Sequence, residues 1–400
     1  MNILFVTGAF ESHGEPLTGM PRYLYKMCRY LNTQTEHRAS IVTADIENRL
    51  WDYDGVEICS VKIVSLPGRE AWIHYGLNAV IRDYLLQRKI SEICKEKSVD
   101  MIQYTGWFGV GILHTGKVPA VMRMSSYCKV QLTANHTKHQ VHVISLMERL
   151  AARRMNAVIS PSRIVADQLQ KDIHRKVHVI ETPFWEDCGR GQWDASVYEK
   201  QLKGKQYLLY FGRMSANKGI LTIAGMIGRL LKEHQDLYFA FAGIPSSYNG
   251  VDTFRILQNK AGANRDRIVY LGNLPHERLL PVLKNAYAVL LPSLVDNLPN
   301  SCQEAMYHGK VVIGTWNSSL DQLIDDGISG YLSIPGDEED LLRVTEKVLN
   351  RNRDELEQAS VMAHNTIMRL EPQHIVPKML KLYESVVQKN DQSRKASFEQ

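Results

Sequence analysis

Two cations five positions apart, Arg213 and Lys218, stand in the stretch Gly212-Arg213-Met214-Ser215-Ala216-Asn217-Lys218-Gly219, directly after an apolar run at 207–211. A guanidinium presents a planar fork and an ammonium a mobile point charge, so the pair at the start of a helix suits a diphosphate. Two carboxylates, Asp296 and Glu304, bracket Pro299, Asn300 and Ser301. Asn300 reads as an N-cap, and the helix it opens offers free amides to an anion. A carboxylate on either side of such a terminus can accept from vicinal hydroxyls, as on ribose or a hexose. The same four charged residues also read as solvated loop cations and as helix-start acids that complement a helix dipole.

These groups need strands to position them. Apolar runs at 207–211, 237–242, 268–271, 288–291 and 311–313 are separated by helical periods at 219–234, 252–261, 277–284 and 301–307, and a helix follows at 338–349. The first half alternates in the same way, with runs at 2–7, 40–43, 101–104, 120–124, 157–160 and 177–180 and helical patterns at 21–31, 77–97 and 144–154. Strands alternating with helices imply parallel sheets covered on both faces, and so two doubly wound, Rossmann-like α/β domains. Ligands of such sheets bind beyond the carboxyl ends of the strands, where Arg213, Lys218 and Asp296 fall. The first domain is expected over 1–185, a polar linker over 186–205 and the second domain over 206–370. A last helix is expected over 371–388 and, for want of apolar residues, a disordered tail over 389–400.

The chain has 400 residues, 44% apolar and 23% charged, which suits two buried cores and excludes disordered and collagen-like classes. No apolar run approaches the roughly 18 residues that span a bilayer, and the opening residues 1–6 lack the basic start of a signal peptide, so a cytoplasmic protein is expected. Six cysteines without a CxxC pair suggest neither zinc nor a disulfide framework. The net charge of +5 lies wholly in the first 190 residues, which carry 24 Lys and Arg against 19 Asp and Glu, while the remainder balances at 24 against 24. That excess suits a phosphorylated acceptor or peripheral contact with a membrane face rather than nucleic acid, or is an ordinary solvated surface. The segment 72–97, with Arg82, Arg88, Lys89, Lys95 and Lys97 beside an apolar stripe, reads first as a core-facing helix and second as a membrane-surface one. His136, His139 and His142 recur every third residue, but no Cys or carboxylate joins them at ligand spacing, so no metal site is expected. Cys302 reads as packing.

The set Gly212-Arg213, Lys218-Gly219, Asp296 with Glu304, Glu304-Ala305-Met306 with Gly309, and Asp326-Gly327 through Gly330-Tyr331-Leu332 resembles glycosyltransferase family 4, whose members are retaining GT-B enzymes using nucleotide sugars. The likeness is densest over 207–350 and continues earlier through residues 3–6, Gly19-Met20-Pro21 and the stretch 157–162. The resemblance implies a GT-B architecture, two domains facing across a cleft, with the acceptor on the N-terminal domain, the donor on the C-terminal one and the last helix crossing back to the first. It implies that Arg213 and Lys218 bind the donor diphosphate, aided by amides near Asn300 and Ser301. It further implies that Glu304 holds the ribose, that Asp296 approaches the donor sugar, and that the base lies near Gly272 to Leu274. Gly19 would sit against the diphosphate and the acceptor. No metal or other cofactor is implied.

The chain departs from the family pattern at three places. The first acid is Asp296 where Glu is usual. Ser125 and Ser126 stand where a His is usual, leaving Ser125, Arg123 or His13 as candidates for its role. Asn317-Ser318-Ser319 replaces paired glycines. The expected reaction transfers a hexose-type sugar from a UDP- or GDP-sugar to a saccharide or lipid-linked saccharide, in cell-surface polysaccharide or lipopolysaccharide synthesis. Its rivals are a GT-B epimerase or phosphorylase and a catalytically silent glycan- or nucleotide-binding protein.

Overall fold

The computed structural model describes residues 1–10, 19–63, 72–131, 138–185 and 193–398. The chain divides into two compact units, Met1–Pro183 with Pro372–Gln400, and Phe184–Glu371.

Unit 1 runs β1 (Asn2–Thr7), α1 (Gly19–Gln34), β2 (Arg38–Asp45), β3 (Arg49–Tyr53), β4 (Val56–Lys62), α2 (Trp72–Glu96), β5 (Met101–Thr105), β6 (Ala120–Arg123), α3 (Lys138–Arg154), β7 (Ala157–Ser160), α4 (Arg163–Ile173) and β8 (His178–Val179). Its eight-stranded sheet has the order β3-β4-β2-β1-β5-β6-β7-β8. Central strands such as β1, which is buried from Ile3 to Thr7, read as unbroken apolar runs because helices cover both faces. The hairpin β3–β4, antiparallel in an otherwise parallel sheet, turns on Asp54 and Gly55, whose φ values of 50° and 80° suit the tight two-residue turn that an Asp-Gly pair favours.

Unit 2 runs α5 (Ser196–Gln201), β9 (Gln206–Phe211), α6 (Ile220–Glu233), β10 (Leu237–Ala242), β11 (Ser247–Tyr248), β12 (Val251–Asp252), α7 (Thr253–Ala261), β13 (Ile268–Gly272), α8 (His276–Asn285), β14 (Ala288–Leu290), α9 (Asn300–Tyr307), β15 (Val312–Thr315), β16 (Gly330–Ser333), α10 (Glu338–Leu349) and α11 (Arg353–Met368). The main sheet has the order β13-β10-β9-β14-β15-β16, all parallel. This is the doubly wound order, and the chain reverses its direction of growth between β9 and β14. α6 packs Ile220, Ile223, Ile227 and Leu230 into a core shared with Phe239 and Phe241 of β10 and Leu290 of β14.

The last helix, α12 (Pro372–Phe398), belongs to unit 1. Met379 and Tyr383 are buried, and the Tyr383 hydroxyl donates to Gln103 Oε1 on β5. The sequence reading ended this helix at 388 and left 389–400 disordered, whereas the structure carries it to Phe398. Once the apolar first half is docked, each further residue adds a hydrogen bond at little cost, and Lys, Gln, Arg and Ala are good helix formers. The expected linker is corrected too. Residues 186–192 lie outside the described residues, but 193–205 belong to unit 2: Leu202 is fully buried, Asp194 pairs with Arg278 on α8 at 2.7 Å, and Lys284 lies 3.6 Å from the Trp193 ring centre. Among the described residues no helix is long and apolar enough to cross a membrane.

Candidate functional site

In unit 2 the loops after β9 and β14 lie side by side at the reversal point. The Leu294 amide donates to the Asn217 carbonyl at 2.8 Å. Gly219, with φ 74°, lies so close to the other loop that a Cβ there would stand 1.8 Å from the Pro292 carbonyl oxygen. This seam brings two of the sequence-predicted residues together. Lys218 Nζ donates to Asp296 Oδ2 at 2.5 Å. Asp296 is 8% exposed, whereas the Lys218 side chain is 36% exposed and open to a ligand. The carboxylate is fixed from other directions: Ser293 Oγ donates to Oδ2 at 3.1 Å, and the Asn297 amide to Oδ1 at 2.9 Å. A diphosphate arriving at Lys218 would meet an ammonium already held by an anchored carboxylate, with N–H donors left for the phosphate.

Arg213 is exposed on the same loop, its carbonyl accepting from the buried Tyr210 hydroxyl at 2.8 Å. Gly212, also exposed, has φ 121°, and its carbonyl oxygen would lie 1.9 Å from a Cβ on Gly243, the residue after β10. The loops after β9 and β10 therefore touch backbone to backbone. Leu274, expected near the base, is partly buried after β13.

Asn300 is the first residue of α9, and Pro299 is the N-cap, without a side-chain cap. This corrects the reading of Asn300 as N-cap; proline preorganises the entry, while the exposed Asn300 enters the helix. The Cys302 and Gln303 amides bond back to the Pro299 carbonyl at 3.2 and 3.3 Å. Asn300 and Ser301 thus contribute the amides at the open end. Glu304 follows one turn later, partly buried. Cys302 is fully buried with its sulfur 3.7 Å from Met306 Sδ, and burial pushes its thiol far up, as suits a packing residue. α11, which sequence reading missed, steadies the other end of α9: His364 Nδ1 meets the Tyr307 carbonyl at 2.5 Å, and the Ser360 hydroxyl donates to the Gly309 carbonyl. The capping box of Asn352 and Glu355 was the available signal for that helix.

A group of hydroxyls beneath Asp296 was also missed. Thr315 Oγ1 donates to the Ser293 carbonyl at 2.5 Å, the Ser318 carbonyl accepts the Asp296 amide at 2.9 Å, and Ser319 Oγ accepts the Leu298 amide at 2.9 Å. Asn317 and Ser319 have φ values of 51° and 74°, the region where glycine is favoured. The serine that replaces an expected glycine thus accepts strain and in return holds the loop carrying Asp296.

The remaining candidates lie in unit 1. Gly19 opens α1 with φ 57° and is exposed, and His13 lies outside the described residues, as does His136. Ser125 is partly buried just after β6, its amide donating to the Arg123 carbonyl at 3.2 Å. Arg123 is 1% exposed and engaged internally, with Nη1 on the Ile180 carbonyl at 3.2 Å, Nη2 on Thr182 Oγ1 at 2.8 Å and the guanidinium 4.5 Å from the Tyr23 ring centre. Such burial argues against Arg123 in the role left open for it, and Ser125 and His13 remain the candidates. His139 and His142 are exposed on α3, and among the described residues no group of three or more His, Cys, Asp or Glu could hold a metal ion.

Glu148 on α3, not singled out by sequence, supports the Ser125 loop from below. Its carboxylate accepts the Cys128 amide at 3.0 Å and a backbone bond from Phe108, tying the segment after β5 to the segment after β6. Burial outweighs these two bonds and pushes its carboxyl up to about 8. The folded chain then keeps a proton that the unfolded chain releases in the ordinary carboxylate range. Stability from this group is full below that range and is lost as pH rises through about 8. Melting temperature measured from pH 5 to 9 should therefore fall more steeply in wild type than in Glu148→Gln. Parallel profiles would remove Glu148 as the cause.

The comparisons with known proteins concern both units. Residues 194–367, nearly all of unit 2, match the family model for glycosyl transferases group 1. An alpha-D-kanosaminyltransferase of Streptomyces kanamyceticus is 24% identical over 213 residues, covering 51% of this chain and 53% of that protein. An uncharacterized glycosyltransferase of Methanocaldococcus jannaschii is 22% identical over 330 residues, covering 78% and 81%. The chain spans about half the length of the first curated relatives it matches. Among solved structures, sucrose-phosphate synthase from Thermosynechococcus elongatus superposes with a TM-score of 0.76 at 15% identity, covering 96% of this chain and 98% of that one. Anabaena HepE, solved with UDP and glucose, superposes with a TM-score of 0.69 at 16% identity, covering 96% and 100%. The fold is thus GT-B, built from two Rossmann-like units. The chain is similar to glycosyltransferases in sequence over unit 2 and in fold throughout.

Proposed function

We propose that this chain is a retaining glycosyltransferase of the family 4 type. It moves a hexose-type sugar from a nucleoside-diphosphate sugar, UDP or GDP, to a hydroxyl of a saccharide or lipid-linked saccharide. The observation that carries the reading is the Lys218–Asp296 pair, set at the reversal point of a doubly wound sheet beside Arg213 and the open end of α9. That HepE was solved with UDP and glucose supports a nucleotide-sugar donor.

In this reading unit 2 binds the donor and unit 1 the acceptor. The bond from the sugar's anomeric carbon to the diphosphate breaks, a bond to the acceptor oxygen forms on the same face, and the acceptor proton passes to the departing phosphate oxygen. Arg213, Lys218 and the Asn300 and Ser301 amides take up the charge that develops on the phosphate, work that needs no metal. Glu304 accepts from the ribose hydroxyls, Asp296 lies toward the sugar, Leu274 lies by the base, and Gly19 and Ser125 serve the acceptor side. We place the reaction in the cytoplasm, in cell-surface polysaccharide or lipopolysaccharide assembly.

The test is a panel of UDP-, GDP-, ADP- and dTDP-sugars in EDTA, read by thermal shift and by slow release of nucleoside diphosphate. One nucleotide should stabilise wild type, and the shift should vanish in Arg213→Ala. No shift with any of them would leave the silent-binder alternative, which the serine at position 125 favours, for glycan ligands alone.

A further inference from the structure

Unit 1 has a reversal point of its own. In the order β3-β4-β2-β1-β5-β6-β7-β8 the chain grows from β1 toward β2 and β4, then returns to add β5 on the other side of β1. The crevice of such a sheet opens between the carboxyl ends of β1 and β5. Gly8 follows β1 and Trp107 follows β5, and the two meet there: a Cβ on Gly8 would stand 2.9 Å from Trp107 Cε3. The missing side chain leaves room for the indole to lie against the end of β1. Trp107 is nevertheless 40% exposed, a large fraction for a side chain that is highly buried on average.

The backbone that carries this ring is held by charged side chains from two helices. Phe108, inside the short turn Trp107–Gly109, has φ 49° and ψ 36°, a left-handed conformation that a phenylalanine keeps only where its surroundings impose it. Helix α2 faces the core through Leu86 and Ile90, and its Arg82 Nη2 donates to the Phe108 carbonyl at 2.8 Å. The buried Asp83 carboxylate beside it accepts the Gly111 and Leu113 amides, both at 2.7 Å. From α3, Glu148 accepts a backbone bond from Phe108. The Arg82 guanidinium also lies 6.0 Å from the centre of the Trp107 ring, and the Phe108 ring meets that ring edge-on at 4.8 Å. An indole on so fixed a turn has little freedom to lose on meeting a ligand.

An indole offers an apolar face, and a pyranose offers a matching one, because its C–H groups line the face of the ring while its hydroxyls point to the rim. Stacking removes both faces from water and leaves the hydroxyls free for hydrogen bonds. We propose that Trp107 is the platform on which a sugar ring of the acceptor stacks, at the β1–β5 reversal point. The Gly106 amide donates to the Arg123 carbonyl at 2.9 Å, which ties this turn to the segment bearing Ser125. The assignment rests on the reading of unit 1 as the acceptor side and names the contact by which a saccharide is held there.

The test is binding of methyl glycosides to the full chain without donor, read by ligand-observed NMR. The panel holds both anomers of the glucose, galactose, mannose and N-acetylglucosamine glycosides. At least one should bind wild type, with saturation transfer strongest at its ring C–H protons. Trp107→Leu should weaken that glycoside at least about tenfold, whereas Trp107→Phe, which keeps a π face, should cost only about three- to fivefold. Gly8→Ala keeps the indole but pushes it from its seat, and should act like Trp107→Leu. Circular dichroism and the nucleotide-induced thermal shift of unit 2 should match wild type, and if the leucine variant does not fold, Trp107→Phe and Gly8→Ala decide. Unchanged binding in Trp107→Leu, equal losses in the leucine and phenylalanine variants, or no glycoside bound by wild type would overturn the proposal. In each of those cases an intact nucleotide shift would leave the donor reading standing. Glycoside binding through Trp107 without any nucleotide shift would do the reverse, keeping the platform and removing the donor reading.

Discussion

Lys218→Ala should lower donor turnover about 10²- to 10³-fold, read as nucleoside diphosphate release per enzyme under saturating donor. That is the usual effect of removing one preorganised group from a developing oxyanion. The size follows from where the ammonium is held. Asp296 anchors it at 2.5 Å, and Ser293 and the Asn297 amide fix the carboxylate in turn. The cation is therefore in place before a ligand arrives, and little reorganisation is left for the reaction step.

This arrangement also predicts non-additivity. Asp296→Asn keeps the side-chain shape but weakens the hold on Lys218, and should lower turnover about tenfold. The double variant should then be little worse than Lys218→Ala alone, because both substitutions act on one unit. Fully additive losses would mean that Asp296 serves the sugar independently of Lys218. Full activity in Lys218→Ala would remove the donor-site assignment.

What could be read in the sequence was the chemistry local to a strand end. Arg213, Lys218, Asp296 and Glu304 were legible because each lies within a turn or a helix start, where residue type and spacing carry meaning. The pairing of Lys218 with Asp296 was not legible, since 78 positions separate them and only the strand order makes β9 and β14 neighbours. The hydroxyls of Ser293, Thr315, Ser318 and Ser319 were hidden for the same reason. They gather from the loop after β14 and from the end of β15 with the loop that follows it, and in sequence Ser318 and Ser319 looked only like missing glycines. Glu148 gave no signal either, because a lone acid in an amphipathic helix reads as solvent-facing until α3 is seen to turn it inward. Hairpin β3–β4, by contrast, carries its Asp-Gly signal in plain view, but β3 is exposed and the mostly buried β4 breaks its apolar residues with Glu57, Ser60 and Lys62, so neither strand shows a continuous apolar run.

The second large effect concerns the seam that makes the site possible. Gly219→Ala faces two separate costs. With φ at 74° an alanine takes a left-handed conformation, worth roughly 1–2 kcal/mol. Its Cβ would also fall 1.8 Å from the Pro292 carbonyl oxygen, and that neighbour is backbone just beyond β14, which cannot rotate aside. The loops after β9 and β14 must then part, taking with them the Leu294-to-Asn217 bond and the alignment of Lys218 with Asp296. Destabilisation should exceed about 3 kcal/mol in denaturant unfolding, the range of substitutions that force a packed backbone to move. The nucleotide-induced thermal shift should disappear as well.

Gly272→Ala separates the two costs. Its φ is also 74°, but nothing lies within 4 Å of the Cβ it would gain, so only the conformational cost of about 1–2 kcal/mol applies. If the two variants proved equally stable, the close approach of the loops would have no energetic weight, and the seam could not be what holds Lys218 against Asp296. If Gly219→Ala is far worse and also fails to bind nucleotide, one contact between two loops both folds unit 2 and sets the distance between its ammonium and its carboxylate.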